Sequence, residues 1–295
     1  MGANMNTPLI EARQLRVRYG SKEAVKSLDF QMGKGRVVGL LGHNGAGKSS
    51  MMKAIMGLQH YEGELRVLGL DPLRQREKLL HELCYIPDVA ILPRWATAQE
   101  LIQLMSGLHP RFSAERARQL LQRTSVQLHD KVKQLSKGMV VQLHLALIAA
   151  IDARLMILDE PTLGLDILSR KSFYEMLVDE WCNGERTVLI STHQVEEIES
   201  LLSDVMMLNE GRLVLNLSLE DVDRRFTALA HDPSHADQMS RAHPLLRYRT
   251  LNREAAIFEG EVPPEVLALG DRVRPSLVDL FVALTRAPEL HRQHS

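Results

Sequence analysis

Near the N-terminus, apolar and polar positions fall into short extended runs. Leu9–Tyr19 and Ala24–Met32 read as strands, the second partly alternating, with Gly20-Ser21 as the turn between them. Arg36–Leu41 reads as a buried strand running into the glycine-rich stretch Gly42–Gly47, and a helical pattern, Lys48–Gly57, follows directly. Gly63–Gly69 reads as a further short strand. From about 72 to 150 the pattern predicts mostly helix: Leu73–Leu83, Thr97–Ser106, Ser113–Ser125 and Gly138–Ile151, separated by Pro, Gly or polar breaks. Ser113 is the predicted cap of the third, with Arg116 where a full capping box carries an acid.

Strand and helix then alternate. Leu155–Leu158 is four apolar residues bounded by charge, as expected of a central parallel strand. Ile167–Trp181 predicts a helix, Thr187–Ile190 a strand, Val195–Leu202 a helix, and Val205–Leu208 and Arg212–Leu215 strands. This is the pattern of an α/β domain with an inserted helical block. Beyond about Ser218 the character shifts: helical Leu219–Ala230, a polar Pro-containing stretch His231–His243, strands at Leu245–Leu251 and Ala255–Glu259, and a helix at Ser276–Thr285. The expected division is 1–217 for the main domain and 218–295 for a small α+β appendage.

Composition narrows the class. With 45% apolar and 25% charged residues over 295 positions, the chain is neither disordered nor collagen-like. Thirty-six basic against thirty-seven acidic residues give a net charge of −1, so no global field draws it to nucleic acid. Cys84 and Cys182 match no paired spacing and are expected as reduced thiols. The N-terminal stretch lacks the apolar core of a signal peptide, and Asn6 stands where a myristoylation site needs Ser or Thr. The longest apolar runs, such as Leu145–Ile151, fall short of the ~20 residues of a membrane span. The twelve histidines form no recognised metal spacing; His231 and His235 are four apart, but Pro233 lies between them.

The candidate chemistry begins at Gly42-His43-Asn44-Gly45-Ala46-Gly47-Lys48-Ser49-Ser50, a phosphate-binding loop in a strand–loop–helix setting. Glycines let the backbone curl so that successive N–H groups face phosphate oxygens, and the following helix adds its positive end. Lys48 reaches the outer phosphates, and the Ser49 hydroxyl suits Mg²⁺. Downstream, Leu155–Leu158 ends in Asp159 and Glu160. Asp159 fits a Mg²⁺ shell, which takes few carboxylates, and Glu160 is then free to orient and deprotonate water.

Leu135-Ser136-Lys137-Gly138-Met139 resembles the LSGGQ signature of the nucleotide-binding subunits of ABC transporters. Pro161–Asp166 resembles the D-loop of that family, Ser191-Thr192-His193 its switch histidine, and Tyr19 stands where an aromatic residue stacks on adenine. The resemblance covers about residues 9–215. It implies a P-loop NTPase core with an antiparallel β subdomain and an inserted helical subdomain at about 72–150. It also implies ATP hydrolysis with Mg²⁺ on Ser49 and Asp159, with Lys48, Glu160 and His193 carrying the chemistry. Two such subunits, most simply identical, pair head to tail. Ser136 and Gly138 of one then meet the ATP held by Tyr19 and Gly42–Ser50 of the other, and Asp166 is the acid of the D-loop. Integral membrane transporter subunits are the implied partners, which places the chain in the cytoplasm, peripheral on the inner face of the membrane.

Two motifs depart from the family pattern. Lys137 and Met139 replace Gly and Gln, and Asp88 stands where the Q-loop has Gln. Such acids, with LSKGM signatures and an ending like Pro275–Thr285, resemble a branch of single-domain ATPases that serve exporter-type membrane subunits. A non-transport ATPase acting as a regulatory, signalling or assembly factor is the alternative reading.

Overall fold

The computed structural model describes residues 8–87, 92–181, 184–249 and 253–292. Asp88 and Cys182 lie outside them. Among the described residues, the strands form three sheets. The central one has six strands in the order Leu83–Ile86, Leu155–Asp159, Thr187–Ser191, Val37–Leu41, Asp204–Asn209 and Arg212–Ser218. Its first five strands are parallel and the last is antiparallel. Val37–Leu41, Leu155–Asp159 and Thr187–Ser191 are buried at every position, which explains their continuous apolar runs.

An antiparallel sheet of Lys22–Met32, Ile10–Tyr19 and Glu62–Val67 lies beside it. Leu15, Val17, Leu28 and Phe30 from this sheet share an apolar core with Met51, Met52 and Ile55 of the helix Lys48–Ile55. The inserted helices are Ala98–Leu108, Ala114–Leu121 and Lys137–Ala149. Each begins with a side-chain cap: Thr97 in a full box with Glu100, Ser113 on the Arg116 amide at 3.1 Å, and Ser136 on the Met139 amide at 3.2 Å.

The third sheet makes the appendage. Strands Phe226–His231, Leu246–Arg249, Glu254–Glu259 and Gly270–Val273 alternate with helices Ala236–Arg241 and Pro264–Leu267. In space the second strand comes first, followed by the third, first and fourth, all antiparallel. This is the split βαβ arrangement. One side packs Leu229, Ala256 and Phe258 against Met239 and Val266 of the two helices. The other contributes Phe226, Ala228 and Ile257 to the main core, together with Leu277 and Leu280 of the terminal helix Leu277–Arg292.

Three sequence expectations need correction. The strand Leu83–Ile86 lies inside the stretch 72–150 read as largely helical, and the helix before it is only Arg76–Leu80. Four apolar residues ending at Pro87 carry no period that separates a buried strand from a helix. Val195–Leu202 is two 3₁₀ turns, Val195–Glu197 and Glu199–Leu201, rather than an α-helix. Its buried Val195 and Ile198 stand three apart, a spacing that a three-residue turn serves as well. Leu219–Ala230 is a helix only to Arg225; Phe226 onward is a central strand, held by partners on both sides. Helix Ala236–Arg241 occupies the polar stretch that follows.

Candidate functional site

The strand Val37–Leu41 ends at a loop that wraps back over the helix Lys48–Ile55. Gly47 at the N-cap has φ +105°, and a Cβ there would sit 2.4 Å from the Ala24 carbonyl oxygen. Only glycine lets the loop pass that strand. No side chain caps the helix, so its first amides are available to an anion. A cleft of about 850 Å³ opens over this loop. Its walls contain every predicted ATP-binding residue: Tyr19, Gly42, Asn44, Gly45, Ala46, Gly47, Lys48, Ser49 and Ser50. Asp159, Glu160 and His193 complete it, joined by His43 and Leu163 from the same motifs and by Lys22 and Ala24, which the sequence did not single out.

Lys48 is buried, 6% exposed, and donates to the Gly42 carbonyl at 2.6 Å, with His43 O at 3.4 Å. Burial lowers its pKa from the usual lysine value, against the raising pull of Glu160 and Asp159. Glu160 Oε1 lies 3.9 Å from the ammonium. That oxygen is buried and accepts no hydrogen bond, while Oε2 accepts the His193 amide at 3.3 Å and lies 2.8 Å from His193 Nδ1. A carboxylate with one oxygen held and the other unsatisfied beside a cation is poised to accept from water.

Ser191 was not foreseen in this role. Its hydroxyl donates to Asp159 Oδ1 at 2.7 Å and accepts the Glu160 amide at 3.0 Å, pinning both acids to the neighbouring strand. The available signal was its place at the end of the apolar run Thr187–Ile190, one strand over from the acids. His43 is likewise anchored, with Nε2 3.1 Å from Asn209 Oδ1.

Ser136, Gly138 and Asp166 are not part of the cleft wall. They form a second cluster. Ser136 caps the helix Lys137–Ala149, and a Cβ on Gly138 would fall 2.3 Å from Ser169 Oγ. That hydroxyl donates to Asp166 Oδ2 at 2.7 Å, and the Ser169 amide donates to Oδ1 at 3.0 Å. The Ser169 amide is the main influence holding the Asp166 carboxyl below its usual pKa range. The stretch Leu135–Met139 and the loop Pro161–Asp166 are therefore packed as a single unit. Asp88 lies outside the described residues.

Comparison with known proteins follows the same lines. The family model described as "ABC transporter" matches residues 25–163. Nod factor export ATP-binding protein I of Burkholderia orbicola is 33% identical over 217 residues, 71% of this chain and 71% of that protein. An uncharacterized ABC transporter ATP-binding protein of Methanocaldococcus jannaschii is 26% identical over 283 residues, 93% of this chain and 98% of that one. A solved structure of the ATP binding subunit of an ABC transporter superposes with a TM-score of 0.66 at 27% identity, over 73% of this chain and 92% of that chain.

Proposed function

The chain belongs to the ABC transporter family of ATP-binding proteins, and on that premise we propose that it powers an exporter through ATP-driven pairing of two subunits. It is an ATP-hydrolysing enzyme. The observation that supports the mechanism is the unsatisfied Glu160 Oε1, facing Lys48 while His193 holds the other oxygen. In this reading Lys48 and the amides of Gly45–Ser49 bind the phosphates, and Tyr19 stacks on the base. Glu160 takes the proton of the attacking water at Oε1. His193 keeps Glu160 turned toward the cleft and contacts the outer phosphate.

The donor set fits Mg²⁺: the Ser49 hydroxyl and the Asp159 carboxylate are both hard oxygens on the same cleft wall. Bound there, Mg²⁺ would offset phosphate charge. Ser136 and Gly138, remote from their own chain's cleft, would reach the ATP of the second subunit, an identical copy in the simplest arrangement. The division into a nucleotide-binding part, 1–217, and an appendage, 218–295, belongs to the same proposal.

No described helix is long and apolar enough to cross a membrane. Attachment to the inner membrane face would come through a separate integral subunit, and the export-named relative supports that direction of transport. Trp95, Leu104 and Leu108, exposed on the helical block, offer apolar surface for such a contact. The test is co-purification with a polytopic membrane protein, followed by ATP-dependent solute movement in vesicles carrying both. An ATP-hydrolysing preparation that binds no membrane subunit would support the regulatory-factor alternative instead.

A further inference from the structure

The turn after His193 is held from two sides by groups outside the cleft. On one side, Arg170 stands on the helix Ile167–Trp181, four residues after Asp166. Its Nε donates to the Leu165 carbonyl at 2.9 Å, and its Nη1 donates to Gln194 Oε1 at 2.7 Å and Glu197 Oε1 at 2.6 Å. One guanidinium thus ties the Pro161–Asp166 loop to the residues beside His193. On the other side, the terminal helix of the appendage packs against Val195–Glu197. Val195, Ile198, Leu277 and Leu280 share one apolar core.

The held segment has little stiffness of its own. It consists of two three-residue 3₁₀ turns in place of a continuous helix, and the His193 side chain is 47% exposed. Where the imidazole sits is therefore set by what grips the turn. A displacement of about 1 Å at a reacting group can cost roughly a hundredfold in rate.

We propose that Arg170 is a positioning residue for hydrolysis, through which the Pro161–Asp166 loop fixes the His193 turn. The inference rests on the roles given above to Glu160 and His193.

The test uses the full chain, with Arg170→Met, Arg170→Lys and His193→Ala compared for kcat, KM, binding of a fluorescent ATP analogue, and thermal midpoint. Arg170→Met is expected to lower kcat roughly 10- to 100-fold, with KM and analogue affinity changed less than about twofold. Arg170→Lys keeps a cation beside Glu197 and should recover part of the lost kcat. Wild-type kcat in Arg170→Met, with His193→Ala impaired, would overturn this inference alone. So would a kcat loss that vanishes on cooling well below the midpoint, since that marks global destabilisation. Unimpaired turnover in His193→Ala would instead remove the reading on which the inference rests.

Discussion

The nucleotide cleft and the appendage both pair strands with helices, yet they place polar groups in opposite ways. In the cleft, Lys48, Asp159, Ser191 and Thr192 are buried around the ends of parallel strands. In the appendage, charge sits mostly at the rim. Arg225 pairs with Glu259, Arg253 with Asp271 and Arg274 with Asp223, all substantially exposed. Such surface pairs contribute little to stability. Each region also contains a buried unpartnered atom, Glu160 Oε1 in one and His231 Nε2 in the other. The difference lies in company. Glu160 faces a buried ammonium and a histidine across an open cleft, whereas His231 has its Nδ1 beside the adjacent Asp232 carbonyl at 2.9 Å. An orphaned atom marks chemistry when other reactive groups converge on it.

That contrast can be broken at either end. Glu160→Gln should cut turnover by about 10²- to 10⁴-fold while ATP still binds. Phosphate release and a fluorescent nucleotide titration check this, and light scattering should show the ATP-bound pair persisting. Normal turnover would remove Glu160 from its proposed role. The opposite signature is expected from Phe226→Ala, which empties a fully buried site where appendage and main core meet. It should cost about 3–5 kcal/mol in a denaturant melt, with ATP affinity intact in the folded fraction. A large loss of affinity there would show that the two regions are not separable.

Lys48→Ala comes next. Losing charged hydrogen bonds to phosphate should weaken ATP binding by about 1.5–3 kcal/mol, measured by titration calorimetry. Unchanged affinity would count against the phosphate loop. The smallest effect concerns acid. Burial pushes His144, on the signature helix, down to about 4 from the usual 6.5. The unfolded chain therefore takes up a proton that the folded one refuses. The resulting stability is present above about pH 6.5 and is lost as pH falls toward 4, roughly 2 kcal/mol of it by pH 5. Glu254 in the appendage shifts the other way, held below the usual 4.5 by Arg249 and Arg247, so its contribution fades only at lower pH. Hydrogen exchange at pH 7 and pH 5 should show the signature helix loosening before the appendage sheet. His144→Leu should remove that difference.

The cleft could be read from the sequence because its motif fixes backbone shape locally. Gly42–Ser50 specifies a loop, and the loop dictates where Lys48 and Ser49 stand. The acids at the end of Leu155–Asp159 were equally plain, since a charge closing a buried run has few places to go. What stayed hidden depends on distant partners. Ser191 matters because a neighbouring strand brings it between two acids, and Arg170 because a turn twenty-four residues later curls beneath it. The appendage was visible as strands and helices, but Phe226–His231 followed a helical pattern without a break. Only its pairing with Glu254–Glu259 and Gly270–Val273 makes it a strand.

Glu160 adopts φ +48°, a left-handed backbone that costs a residue with a Cβ about 1–2 kcal/mol. Glycine would relieve that cost, and asparagine would reduce it. A selection for thermal resistance alone would therefore favour discarding the carboxylate on which turnover is proposed to depend. Directed evolution of this chain toward heat tolerance should accumulate inactive Glu160→Gly or Glu160→Asn variants unless activity is screened in parallel.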